Sequence, residues 1–310
     1  MTRPLRIALV NNMPDAALKA AARQFSDLAC ASAPGEVVFS PFHFPSTARA
    51  APAAAWLNRV SRPVSELDFS EIDAAIVTGA EPRAGHLRDE AYFPEFTALV
   101  DKAAAAKAFV LWSCLAAHAA VLHLAGVERR RLDQKLSGVF EVERFADHPG
   151  AAWAPQRFVT PQSRWNTLPV GALMRAGGRL ISGSAEVGAD AFTLDGLPGS
   201  LFSQGHPEYA ADTLLREFRR DLSRFVEGEA APAPRLPVGM LTVEEAVRLS
   251  DPLHRQRPGD RAALSGLEAE LDRLKPRAIW RSGAQALVGY WLSEAATAAG
   301  AKDPQRRRAG

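Results

Sequence analysis

The feature that most narrows the fold is an alternation of short apolar runs with helix-periodic stretches. "LRIALVNN" (5–12) is apolar until polar turn formers end it, the pattern of a strand buried on both faces. Residues 15–31 then place Leu18, Ala22, Phe25 and Leu28 at helical spacing, with Asp15 as the expected N-cap. The cycle repeats with strands at 36–44, 72–80 and 108–114 and helices at 93–107 and 115–126, the last closed by Gly126. Apolar strands separated by helices predict an α/β fold, a mainly parallel sheet flanked by helices. Further strands are expected at 139–145, 179–184 and 200–204, and a helix at about 210–226. The alternation loosens there, so some antiparallel pairing is expected in the second half.

"EGEAAPAPRLPVG" (227–239) has the composition of a linker or surface excursion. Beyond it, 242–249 and 260–273 are helix-periodic and charged, and 280–298 reads as a final helix with Trp280, Leu287, Tyr290, Trp291 and Leu292 available for packing. No internal repeat is visible. The expected organisation is an α/β domain over 1–228, with 229–310 a proline-rich segment and C-terminal helices packed on the same domain.

The formal net charge of +2, to which Arg306, Arg307 and Arg308 contribute, is too small to argue for nucleic acid or an anionic membrane. Two cysteines in 310 residues do not make a disulfide framework. No apolar run approaches the ~20 residues that span a bilayer, and the N-terminus lacks a signal-peptide core. A reduced, cytoplasmic setting is expected.

Within this frame "FVLWSCLAA" (109–117) puts Cys114 where a strand gives way to a helix. A nucleophile on such a turn stands exposed at the carboxyl edge of the sheet, and amides of the following helix start can hold negative charge on a carbonyl oxygen. The helix terminus also favours thiolate over thiol. The ordinary alternative is a small core thiol. "LFSQGHPEY" (201–209) weighs against it: the strand breaks at Gly205 and presents His206 and Glu208. A thiol nucleophile needs a base, and the base needs an orienting acceptor; His206 and Glu208 supply both. His118 and His123 have no thiol or carboxylate at metal-ligand spacing, and there is no glycine-rich phosphate loop. No metal and no bound cofactor are expected.

Taken in order, "ALVNNMPD", "RQFSDL", "DAAIVTGAEPRAGHLRDEAYF", "VLWSCLAAHAAV", "KLSGVFE", "PQSR" and "GHPEYAADTLLREFRRDL" resemble the homoserine O-succinyltransferase family of homoserine O-acyltransferases. "WRSGAQALVGYWL" matches more loosely, and 229–275 is unassigned. The resemblance implies a fold related to class I glutamine amidotransferases and a Cys114 that accepts an acyl group from coenzyme A. His206 would act as base, oriented by Glu208, and the acyl group would pass to the hydroxyl of L-homoserine in methionine biosynthesis. It also implies that Glu217 and Arg220 hold the amino acid, with Lys135 and Ser163 as further polar positions around the site. Independently, their i,i+3 spacing puts Glu217 and Arg220 on one helix face; the ordinary alternative is a solvated ion pair between them. A homodimer is expected from the resemblance alone.

Two positions depart from the family pattern. Where the family has a lysine shortly after "MP", this chain has Asp15; Lys19, one turn later, reads rather as a solvent-facing helix residue. The backbone N–H of Leu115 is the safer oxyanion donor. At the position that sorts acyl groups, where Glu accompanies acetyl and Gly succinyl, stands Arg83. An arginine can pair bidentately with a succinyl carboxylate, so succinyl-CoA is favoured over acetyl-CoA as co-substrate. Acylation of another hydroxyl amino acid stays open. So do a cysteine hydrolase or glutaminase on the same scaffold, which the missing glycine flanks of Cys114 disfavour, and a binding protein with a dead site.

Overall fold

The structure, a computed structural model, describes residues 3–145, 153 and 155–302; Arg306, Arg307, Arg308 and His148 lie outside them. The first half runs β1 (Leu5–Val10), α1 (Leu18–Ser32), β2 (Val37–His43), α2 (Ala51–Val60), a two-residue β3 (Arg62–Pro63), β4 (Ala74–Val77), α3 (Phe93–Ala106), β5 (Val110–Ser113) and α4 (Leu115–Ala125). Its strands are all parallel, in the order β3-β2-β1-β4-β5. Successive side chains of a strand point to opposite faces, so the β1 run divides. Ala8 and Val10 join one core with Phe96 and Val100 of α3 and Val121 of α4. Ile7 and Leu9 join a second with Phe25 and Leu28 of α1. A continuously apolar strand is therefore one with helices on both sides.

The second half contributes β6 (Arg130–Arg144), β7 (Arg157–Thr167), α5 (Val170–Arg175), β8 (Gly178–Ser184), β9 (Gly188–Leu194), β10 (Leu201–Ser203) and α6 (Thr213–Val226). β6 to β9 pair antiparallel, as the loosened alternation implied, and extend the order to β10-β9-β8-β6-β7. β10 inserts beside β5 and runs parallel to it. The segments that follow β5 and β10 therefore leave the sheet at the same edge, and these carry Cys114 and His206.

After 227–239 come α7 (Val243–His254), α8 (Arg261–Leu271) and α9 (Arg281–Lys302). Trp280, Leu287, Val288 and Trp291 enter the core beneath α1. Leu249, Leu267 and Leu271 pack on Leu215, Phe218 and Leu222 of α6. α6 thus has three faces in use: Leu214 meets the sheet core, the Leu215 stripe meets the C-terminal helices, and Glu217 and Asp221 are left for the site.

Asp15 does not cap α1. A single 3-10 turn at Asp15–Ala17 precedes the helix, and the carboxylate accepts instead from the Ala50 amide at 2.8 Å and from Arg49 Nη1 at 3.1 Å. A charged guanidinium and a free amide from another segment are better partners for it than a local helix amide. Among the described residues no helix is long and apolar enough to cross a membrane.

Candidate active site

Cys114 follows β5 with φ 51° and ψ −113°, a backbone conformation rare for a non-glycine residue. Its amide donates to the Ser203 carbonyl of β10 at 2.7 Å, which ties the thiol turn to the strand leading to His206. Gly79 packs closely on this turn: a Cβ there would lie 3.1 Å from the Leu115 nitrogen and 3.4 Å from Cys114 Cβ, so a larger residue would press on it. Leu115 opens α4, where an amide has no intrahelical acceptor. That open amide, next in the chain to Cys114, keeps Leu115 a candidate oxyanion donor.

His206 and Glu208 are buried, at 5% and 4% exposure. The imidazole Nδ1 lies 2.9 Å from Glu208 Oε1, and Cys114 is the other group that acts on the ring. Burial alone would lower the His206 pKa; Cys114 and Glu208, by charge and hydrogen bonding, outweigh it and hold it well above the usual histidine range. The loop that presents His206 is fixed from behind. The Gln204 amide donates to the Asp190 carbonyl at 2.8 Å and the His206 amide to the Pro161 carbonyl at 2.9 Å. A Cβ at Gly205 would lie 2.6 Å from Asp190 Oδ1 and 2.5 Å from Gln162 Nε2, so this glycine is needed for close approach.

Beside His206, Glu217 accepts from the Tyr209 hydroxyl at 2.7 Å and from the Ser163 hydroxyl. Lys135 Nζ lies 3.9 Å from Glu217 and 2.7 Å from Asp221. Arg220 donates Nε and Nη2 to Asp221 Oδ1 at 3.0 and 2.8 Å. Burial would raise the Asp221 carboxyl, but Lys135 and Arg220 hold it below its ordinary value. The structure thus brings Lys135, Ser163, Glu217 and Arg220 together, with Arg220 paired to Asp221 rather than to Glu217. Asp221 and Tyr209 escaped the sequence reading. Both lie inside quoted motifs, and only their partners from β6 and α6 reveal them.

Arg83 stands on the 79–92 loop, whose Glu81 pairs with Arg224 of α6 at 2.9 Å. Arg83 is exposed, its amide donates to Glu90 Oε1 at 2.7 Å, and it lines a cavity of about 420 Å³ with Arg49, Asn12, Thr47, Ala80 and Tyr92. Ala80 adjoins Gly79, so the cavity opens next to the thiol turn. Lys19 is exposed on α1, its ammonium 5.7 Å from the centre of the Trp56 ring. Among the described residues no group of three or more His, Cys, Asp or Glu is placed to hold a metal ion; His123 pairs with Asp101 at 2.7 Å and His118 with Gln204 at 2.9 Å.

Cys114 on the turn after one central parallel strand, with His206 and its partner Glu208 after the neighbouring strand, sits in a fold like that of glutamine amidotransferases. A glutamine amidotransferase from Thermotoga maritima superposes with a TM-score of 0.53 at 13% identity, covering 95% of this chain and 99% of that one. One from Methylobacillus flagellatus gives 0.53 at 15%, covering 94% and 95%. At these identities the likeness is one of fold. The sequence is more particular: residues 1–299 match the family model for homoserine O-succinyltransferase. The chain is similar to a homoserine O-succinyltransferase of Methylorubrum extorquens, 42% identical over 94% of this chain and 87% of the relative. It is also similar to one of Bradyrhizobium japonicum, 39% identical over 93% and 89%. The chain belongs to the homoserine O-succinyltransferase family, a family of O-acyltransferase enzymes.

Proposed function

We propose that the protein moves a succinyl group from coenzyme A to the hydroxyl of L-homoserine through a Cys114 acyl-enzyme, a step of methionine biosynthesis. The observation that carries this reading is the pairing of a strained, half-buried thiol turn with a polar cluster, Lys135, Ser163, Glu217 and Asp221, that Tyr209 links to the same imidazole. A simple acyl-CoA hydrolase needs the first and has no use for the second.

The Cys114 sulfur attacks the thioester carbonyl while its proton rests on His206. The carbonyl oxygen, negative in the tetrahedral intermediate, is held by the Leu115 amide. Coenzyme A leaves as its thiol, taking the proton from His206. In the second half His206 removes the homoserine hydroxyl proton, the oxygen attacks the Cys114 thioester, and collapse releases O-succinylhomoserine and regenerates the thiol. Glu208 keeps Nε2 of the imidazole turned toward these oxygens by fixing Nδ1. The Glu217 carboxylate suits the homoserine ammonium, and Lys135 and Arg220 supply positive charge for its carboxylate. Arg83, at the mouth of the donor-side cavity, suits the succinyl carboxylate.

The test is initial-rate release of coenzyme A from succinyl-CoA and acetyl-CoA, with and without homoserine. The reading expects sustained release only with homoserine, faster from succinyl-CoA. Release indifferent to the amino acid would mark a hydrolase; a preference for acetyl-CoA would move the donor assignment.

A further inference from the structure

Tyr209 touches both halves of the site. Its ring stacks on His206, with centroids 4.2 Å apart and planes 19° from parallel, and it is buried at 3% exposure. Its hydroxyl donates to Glu217 Oε1 at 2.7 Å. The backbone of the same residue is held too: its amide donates to the His206 carbonyl at 3.2 Å, and its carbonyl accepts from the Trp280 indole at 3.2 Å. A phenylalanine would fill the same space and make the same stack, so packing accounts for the ring and not for the hydroxyl.

We infer that Tyr209 is a positioning residue for the second half of the reaction: its ring seats the His206 imidazole while its hydroxyl pins the Glu217 carboxylate. Base and acceptor-binding carboxylate then move as one unit. This inference rests on the acyl-transfer reading. A free glutamate side chain samples several rotamers. Glu217 is restrained at both oxygens, by Tyr209 on one and Ser163 on the other, so a ligand ammonium would meet a carboxylate already fixed in place. The geometry of attack depends on where that ammonium is fixed relative to His206, since small misplacements of a bound nucleophile cost rate steeply. Burial first, and then the Glu217 and Glu208 carboxylates, hold the Tyr209 phenol well above its ordinary pKa, so it stays a donor throughout the working range of pH.

Two variants and two readouts decide it. Tyr209→Phe keeps the ring and deletes the O–H. Single-turnover release of coenzyme A without homoserine is expected to stay within about twofold of wild type, while kcat/KM for homoserine falls about tenfold, the size expected for a lost hydrogen bond to a charged group. An unchanged kcat/KM for homoserine, or equal slowing of both half-reactions, would overturn the inference. Tyr209→Leu also removes the stack. The pH profile of Cys114 alkylation by iodoacetamide, measured without any acyl donor, is expected to shift in Tyr209→Leu and not in Tyr209→Phe. That second readout separates the two claims. A protein that accepts no acyl group refutes the transferase reading, and the alkylation profile still tests the stack; identical profiles in all three proteins would overturn it.

Discussion

In the cluster proposed to hold the acceptor, Glu217, Ser163, Tyr209, Lys135 and Asp221 are at least half-buried and bonded to one another across β6, β7 and α6. Arg83, proposed to read the acyl chain, is exposed on the 79–92 loop and lines a roughly 420 Å³ cavity. The difference teaches where specificity is rigid. The groups proposed to hold the amino acid are preorganised by strands and a helix, as precise positioning requires. The group proposed to read the acyl chain is one side chain on a loop, the kind of segment that changes with little cost to the core.

The largest expected effect falls on neither side. Cys114→Ala should reduce turnover by about 10⁴-fold or more with every donor, because it removes the covalent step; steady-state release of coenzyme A measures it. Glu208→Gln should cost on the order of 10²–10³-fold, equally for succinyl and acetyl donors, since it frees the imidazole orientation that both halves share. Glu217→Gln should then split the two sides: homoserine KM up by tens of fold, acylation of Cys114 unaltered in single-turnover assays. Arg83→Met should do the reverse. The preference for succinyl-CoA over acetyl-CoA should fall about tenfold with homoserine KM unmoved, since an exposed charge pair contributes modestly. If the two variants give the same phenotype, the division into sides is wrong.

The smallest effect is on stability and concerns His118, buried behind the acceptor side against Gln204. Burial holds its pKa down to about 3, whereas in the unfolded chain it titrates near 6.5. Unfolding therefore takes up a proton between these values, so stability falls as pH drops below about 6.5, by at most about 1.4 kcal/mol per unit from this group. Urea unfolding at pH 7 and pH 5 should show the loss, and His118→Gln should flatten it.

How much of this was legible in the sequence follows the same division. β1, β4 and β5 announce themselves because burial on both faces demands unbroken apolar runs. β7, "RFVTPQSRWNT", carries the site residue Ser163 and the network residues Gln162 and Arg164, so its polar side chains mask a strand. β9 and the alanine-rich α2 carry no strong periodicity and were not anticipated. Cys114, His206 and Glu208 could be read because reactive residue types stand where strands end. Gly79, Tyr209 and Asp221 are ordinary residues whose meaning comes from partners distant in the chain: a Leu115 amide, a Glu217 carboxylate, a Lys135 ammonium.

The central claim is that Cys114 carries the acyl group between two separate sites. Intact-protein mass after exposure to succinyl-CoA alone, with peptide mapping, tests it most directly. One succinyl adduct on Cys114, stable in buffer and discharged as O-succinylhomoserine when L-homoserine is added, is the predicted result. No adduct, an adduct on another residue, or discharge by water as fast as by homoserine would contradict it.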